Sequence, residues 1–447
     1  MTSNGSNLER YAEKCLADLR LGDASLYELL EADLEHQSRV LMLVAAASIA
    51  PPSVIAAAGT ALRNTTGEGY PGARMHAGCE VFDRVESLAI ERAKRVFGAR
   101  YANVQPHSTS SANEALIFSL LAPGETLLGM RLDCGGHLSH GAQASVIGRT
   151  FNIVSYGVGE DGQLDFDEIR ELARRHRPKL IICGASSYPR RIDFSAFRQI
   201  ADEVDAYLLA DVSHIAGLIV AGEHPSPIDE AHFTTTSTYK QLCGPRGGLI
   251  LMGKDATAPA PNGKGTLTRL VQRAIFPFFQ GTPDPSAIAA KAAALAYVDR
   301  QEFRVGARRI IDNARALAAT LQQLGYRLVT DGTDTHMVLV DLSNIGVDGA
   351  RAEKALENCG IVVNRNVVPG DRRSPLAPGG IRLGTNTVAL RGMGETEMVE
   401  CARLADRILR EVASGEATVE PGDRTCNEVR LAVTALCQKF PIGGSAD

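Results

Sequence analysis

The chain has 447 residues, 45% of them hydrophobic and 22% charged, with a formal net charge of −5. That length exceeds a single compact core and predicts two or three domains sharing a large interface; the composition is that of a soluble globular protein, and the slight acidity leaves no basic face for nucleic acid. Its nine cysteines show no CxxC pair or short metal-ligand spacing, the start MTSNGSNLERYAEK lacks an apolar signal core, and no apolar run approaches the roughly 18 residues of a membrane span, so a cytoplasmic protein with reduced thiols and no bound metal is expected.

Residues 1–50 read as an N-terminal helical arm, with AAASIAPPSV leading into a large domain over 51–300. Residues 64–80, NTTGEGYPGARMHAGCE, are too glycine-rich for a stable helix and carry one acid, Glu68. Phe82, Val85, Ala89, Ala93 and Val96 then recur at spacings of three and four, which predicts an amphipathic helix closed by Gly98. Short apolar runs follow at 126–130, 151–156, 179–184, 206–211 and 247–252, separated by helical stretches. Buried strands alternating with helices imply a mostly parallel sheet covered on both faces, an α/β fold whose active site gathers at the C-terminal ends of the strands. From about 301 to 447, a long helical pattern followed by MVLVDLS, GIVVNRNVV and GGIRLGT reads as a smaller α+β domain.

Four constellations carry chemistry. NVQPHSTSSANEALIFSLL joins a short strand to a helix through Ser108, Thr109 and Ser110, where hydroxyls and backbone N–H groups serve as an ordinary cap or as an anion site. AYLLADVSHIAG ends a strand with Asp211, followed by His214; a carboxylate there caps the next turn or meets a cation, because a buried unpaired charge is expensive. TTTSTYKQLCGPRGGLIL sets Lys240 among small polar residues beside a buried strand, which suits a lysine held for Schiff-base chemistry rather than a solvated surface charge. In CGGHLSHGA, His137 and His140 have a helical metal spacing, but the glycines argue for a loop and a stacking or hydrogen-bonding histidine. Together these are the parts of a pyridoxal 5'-phosphate site.

The motifs EGYPGARMHAGCEVFDRVESLAIERAKRVFGARYANVQPHS, GGHLSHG, ADVSHIAGL, TTTSTYKQLCGPRGGLIL and GGIRLGT resemble those of serine hydroxymethyltransferases, collinearly from about residue 40 onward. The resemblance implies a fold-type I pyridoxal phosphate transferase with a seven-stranded, mostly parallel sheet and a smaller C-terminal domain. It also implies an amino-acid substrate, tetrahydrofolate as one-carbon carrier, and a homodimer with sites shared across the interface. By position it makes Lys240 the lysine that bonds the cofactor and Asp211 the partner of its ring nitrogen. His137 stacks on the ring, His214 lies beside its phenolic oxygen, and Ser108, Thr109, Ser110, Tyr239 and Gly281 complete its binding. Arg382 and Ser186 fall to the substrate, Arg382 gripping its carboxylate. Leu132, Leu138 and Asn366 fall to folate, and Glu68, crossing from the partner subunit, manages protons during one-carbon transfer.

Departures from the family pattern cluster around the amino acid. Thr66 stands where the resemblance expects tyrosine, Ala46 where it expects a serine, and Met75 and His76 replace two further aromatics. Phe278 and Phe279 replace glycines, and Tyr239 replaces a histidine. Threonine at position 66 is similar to the α-methylserine hydroxymethyltransferases of this family, which exchange a hydroxymethyl group between α-methylserine and D-alanine. The sequence therefore predicts that reaction, with ordinary serine and glycine exchange as the alternative, and a folate-independent threonine aldolase behind both.

Overall fold

The computed structural model describes residues 6–261, 263–415 and 422–443. Two helices, α1 (Asn7–Gly22) and α2 (Ala24–Arg39), open the chain and bury no side chain in it. The next residues leave the helical arm: Leu41–Met42 pair in parallel with Ile361–Val362, and Leu41 and Leu43 pack in the C-terminal core. A short helix, α3 (Pro52–Ala58), starts with proline in its first turn, where the missing N–H costs nothing. The expected amphipathic helix is α4 (Glu80–Phe97); its C-cap, Gly98, has φ 67°, a left-handed conformation that glycine adopts without strain.

The main sheet has seven strands: β1 (Tyr101–Asn103), β2 (Thr126–Met130), β3 (Asn152–Tyr156), β4 (Leu180–Cys183), β5 (Tyr207–Asp211), β6 (Phe233–Ser237) and β7 (Gly248–Met252). Their spatial order is β1-β7-β6-β5-β4-β2-β3, and only β7 runs against the others. Alternation divides each central strand between two cores. Ile181 and Cys183 face one apolar cluster with Leu208 and Ala210, while Leu180 and Ile182 face another with Leu209 and Phe233. Helix α5 (Thr109–Leu120) contributes to the second cluster, and helices α6 (Phe166–His176) and α7 (Phe194–Glu203) to the first.

After α8 (Pro285–Val298), the 23-residue helix α9 (Gln301–Gln323) crosses from one core to another. Phe303, Ala307, Ile310 and Ile311 pack with the main sheet, whereas Ala314, Leu317 and Leu321 pack with the C-terminal elements. Those elements surround a four-stranded antiparallel sheet, β8 (Arg327–Leu328), β9 (Met337–Asp341), β10 (Asn364–Asn366) and β11 (Gly380–Gly384), in the order β8-β9-β11-β10. Among the described residues no helix is long and apolar enough to cross a membrane.

Candidate active site

The C-terminal ends of the parallel strands enclose a cavity of about 190 Å³. It collects His137 from the loop after β2, Ser186 after β4, Asp211 and His214 at and beyond the end of β5, Tyr239 and Lys240 after β6, and Ser108, Thr109 and Ser110 at the start of α5. Residues named from widely separated stretches of sequence thus meet where an open α/β sheet exposes its strand ends.

Asp211 is held by four hydrogen bonds. Its Oδ2 accepts from Asn113 Nδ2 at 2.8 Å and faces His140 Nε2 at 3.0 Å, while Oδ1 accepts from the Ser213 amide at 3.0 Å and its hydroxyl at 2.6 Å. Burial alone would raise its carboxyl, but the hydrogen bond and charge of His140, with His137 and Ser213, outweigh it and hold the group ionised well below the usual range. Its backbone is fixed as tightly: Gly184 has φ 126°, and a Cβ there would sit 2.0 Å from the Asp211 carbonyl oxygen.

Lys240 is 7% exposed, and its Nζ has no hydrogen-bond partner among the described residues. Burial lowers its ammonium to about 8, Asp211 pulling it up and Arg382 pushing it down, so a useful fraction is the uncharged nucleophile near neutrality. The loop carrying it is closed by Thr238, whose amide donates to Gly247 and whose hydroxyl donates to the Pro245 carbonyl at 2.6 Å. The Tyr239 ring lies between two cations, 5.9 Å from Lys240 Nζ and 4.4 Å from the Arg246 guanidinium carbon.

Burial brings His137 down to about 4, against the pull of Asp211, and keeps it a neutral ring whose Nδ1 lies 2.9 Å from Ser139 Oγ. His214 is also held neutral, first by burial and then by the nearby Lys240 and Arg382; its Nδ1 is buried without a partner, and its ring stacks on His336 at 5.9 Å and 16°. Arg382, on β11, donates through Nε to Asn364 Oδ1 at 3.1 Å and through Nη1 to the Ser186 carbonyl. Burial brings it to about 10, which leaves a charged and poorly hydrated fork suited to a carboxylate. Arg382 is not among the residues that line the cavity, whereas Ser108 is; it caps α5, and a Cβ on Gly248 would meet the Ser108 carbonyl at 2.5 Å, so backbone packs directly on the helix start.

These features fit pyridoxal phosphate. A buried ionised carboxylate, an unpartnered lysine, an orphaned histidine nitrogen and the N-terminus of a 12-residue helix converge on one cavity, supplying partners for a ring nitrogen, an aldehyde, a phenolic oxygen and a phosphate.

The other candidates lie elsewhere in the chain. Arg74 anchors the 66–76 loop: it donates to the Gly67 and Gly69 carbonyls, pairs with Asp83 at 2.7 Å and Glu86 at 2.5 Å, and covers the Phe82 ring at 4.1 Å. On that loop Thr66, Met75 and His76 are exposed. Glu68 donates its amide to His76 Nδ1 at 3.4 Å, and its carboxylate lies beside Gly281, where a Cβ would come within 3.4 Å of Oε1. None of Thr66, Glu68, His76 or Gly281 lines the chain's own cavity. Ala46 lies in a segment whose neighbouring carbonyls, Ala45 and Ala47, accept from Asn386 and whose Ala45 packs on Gly384, two residues from Arg382. Leu132 and Leu138 share the His137 loop and are 53% and 51% exposed, while Asn366 sits on β10 two residues from the Asn364 that holds Arg382. Phe278 and Phe279 are exposed, Phe279 stacking on Phe118 at 6.4 Å.

The serine hydroxymethyltransferase family model matches residues 19–405. A protein of Phenylobacterium zucineum (strain HLK1) named serine hydroxymethyltransferase is 46% identical over 421 residues, covering 94% of this chain and 95% of that protein. The chain belongs to the serine hydroxymethyltransferase family. It is accordingly a fold-type I, pyridoxal phosphate- and tetrahydrofolate-dependent hydroxymethyltransferase acting on small amino acids, and the seven-stranded sheet is the one this family requires.

Sequence reading missed the groups that hold Asp211. Asn113 falls four residues after Thr109, so one face of α5 presents both, and helical spacing was the available signal. His140, expected as a stacking or hydrogen-bonding histidine, faces Asp211, and Ser213 stands two residues beyond Asp211 in ADVSHIAG, where only its closeness marks its role.

Proposed function

We propose that this enzyme is an α-methylserine hydroxymethyltransferase, moving a one-carbon unit reversibly between methylenetetrahydrofolate and D-alanine to give α-methyl-L-serine. The observation that carries this reading is the pair Thr66 and Ala46, two positions where the family resemblance expects larger hydroxylated side chains. Ala46 borders the strand of Arg382, and Thr66 is two residues from Glu68. Atoms lost beside the substrate Cα make room for a methyl group, worth roughly 1 kcal/mol when it fills such space and costing a comparable amount when it does not.

A cytoplasmic homodimer is part of the same reading. Thr66, His76 and Gly281, which are exposed, and the half-buried Glu68 lie outside their own cavity, and a two-fold interface brings such a patch to the partner's site and receives its equivalent in return. The arm over 1–50, the cofactor-binding unit over 51–300 and the unit over 301–447 are the proposed division of the chain.

Bound in the cavity, pyridoxal phosphate supplies an aldehyde for amine exchange and a ring that takes up the electron pair left at Cα. Lys240, partly uncharged near neutrality, would hold the aldehyde through its amine nitrogen. Arg382 holds the substrate carboxylate and thereby turns the Cα bond to be broken. Asp211, kept ionised by four hydrogen bonds, stabilises a proton on the ring nitrogen. Neutral His137 covers the ring, and neutral His214 offers its unpartnered nitrogen to the phenolic oxygen. Glu68 of the second subunit acts as acid and base toward the one-carbon unit, with Leu132, Leu138 and Asn366 on the folate.

The test is a donor screen of glycine, D-alanine and L-alanine with methylenetetrahydrofolate, repeated on Thr66→Tyr. D-Alanine should be the preferred acceptor, and the substitution should swing the preference toward glycine by about 10- to 200-fold, the range for one methyl in a fitted pocket. Faster turnover of glycine by the unaltered enzyme sinks the reading. It would favour ordinary exchange of serine and glycine, the second reading, whose support is the name of the 46% identical relative.

A further inference from the structure

Next to the cavity lies a lysine that the chemistry above does not use. Lys291, on α8, is 2% exposed and forms no ion pair among the described residues. Its ammonium donates to the carbonyls of Val104 at 2.6 Å, Pro106 at 2.9 Å and Gly248 at 3.0 Å. A buried ammonium without partners is costly, and here its three donors meet three carbonyl acceptors.

Those acceptors belong to two segments far apart in sequence. Val104 and Pro106 lead into Ser108, the cap of α5, and Gly248 opens β7 next to Gly247, which lines the cavity. The fit is close on both sides of the glycine pair: a Cβ on Gly247 would lie 2.4 Å from Lys291 Cε, and one on Gly248 would lie 2.5 Å from the Ser108 carbonyl. Lysine stem, glycine pair and helix start are therefore packed directly against one another. The backbone leading to the start of α5 is fastened by the Lys291 amine together with the Gln280 side chain, which accepts from the His107 amide at 3.1 Å and donates to the Gln105 carbonyl at 3.2 Å.

We propose that Lys291 is a positioning residue for the phosphate end of the cofactor, tying together the two backbone segments that frame the start of α5. The inference rests on the pyridoxal phosphate reading of the cavity. A lysine that merely filled the core would affect every ligand of the cavity alike, whereas a phosphate-positioning lysine affects only ligands that carry a phosphate.

The experiment titrates the full-length apoenzyme, unaltered and as Lys291→Met, with pyridoxal 5'-phosphate and separately with pyridoxal, reading Kd from the absorbance of the bound aldehyde. In the variant the Kd for the phosphorylated ligand should rise about tenfold or more, as expected for lost donors to buried carbonyls, while that for pyridoxal stays within about twofold. Lys291→Gln, which keeps two donors and loses the charge, should fall between, and it carries the same test if the methionine variant does not fold. Equal weakening of both ligands, or no change in either, overturns the proposal. Unaltered apoenzyme that shows no preference for the phosphorylated ligand discards the cofactor reading of the cavity, and the proposal with it.

Discussion

Asp211 receives four hydrogen bonds from its own chain inside a buried cavity, whereas the Glu68 carboxylate receives none among the described residues and lies on an exposed loop. Around Asp211, Lys240 and His137 the polar groups are preset before any ligand arrives: burial lowers Lys240 and His137, while His140, His137 and Ser213 hold Asp211 ionised against its burial. Around Glu68 the fold fixes the loop instead, through Arg74 and Glu86, and leaves its side chains facing outward, Met75 being 72% exposed. Of the positions that depart from the family pattern, Thr66, Met75, His76, Phe278 and Phe279 lie on exposed surface, whereas Tyr239 lines the cavity and Ala46 is half-buried beside the strand of Arg382. Most of the departures thus lie where a side chain can change without disturbing a core, and two, Ala46 and Tyr239, do not.

The sharpest way to break that contrast is Lys240→Ala. It should abolish the visible absorbance of the holoenzyme and lower transfer by about 10⁴-fold or more, since nucleophile and proton carrier are lost together. Glu68→Gln should lower folate-dependent transfer by roughly 10²- to 10³-fold with pyridoxal phosphate affinity unchanged. Mixing the two inactive variants and allowing subunits to re-pair then sharpens it: about a quarter of the activity should return, because half the dimers are mixed and each holds one intact site. No recovery would mean that Glu68 serves its own chain.

Acid distinguishes the regions more gently. Burial holds His137 and His224 to about 4 and His336 to about 3, whereas in the unfolded chain each takes up a proton near 6.5. The unfolded state therefore binds more protons between those values. Stability from these groups is complete above about pH 6.5 and declines as pH falls through 6.5 toward 4, by about 2 kcal/mol per histidine at pH 5. Apoprotein melting followed from pH 7 to 5 should show the decline, and His224→Gln should make it shallower by one histidine's share.

Much of this was legible beforehand. The strands and the glycine-capped α4 were readable because burial on both faces of a sheet leaves a continuous apolar run and burial on one face of a helix leaves a stripe at spacings of three and four. Lys240, Asp211 and the hydroxyls at 108–110 were readable because a charge or a row of hydroxyls beside a buried strand needs a reason. Asn113, His140 and Lys291 were not, since their partners lie 98, 71 and up to 187 residues away and nothing local marks the pairing. The strand Leu41–Met42 was hidden as well, its pairing with Ile361–Val362 resting on a contact across most of the chain.

Helix α9 carries a mechanical consequence. Its 23 residues make a rod about 35 Å long, rooted in the main core as far as Ile311 and in the C-terminal core from Ala314. Thr385, just past the strand of Arg382, donates its hydroxyl to the Ile310 carbonyl at 2.7 Å, and Asn313 donates to the Met393 carbonyl at 2.9 Å. The changeover at 311–314 is thus pinned on both sides to the elements that follow Arg382, and it would serve as a fulcrum for any tilt of those elements. Closure on a substrate carboxylate would be the turn of a lever, with its reach set by the distance from that pivot.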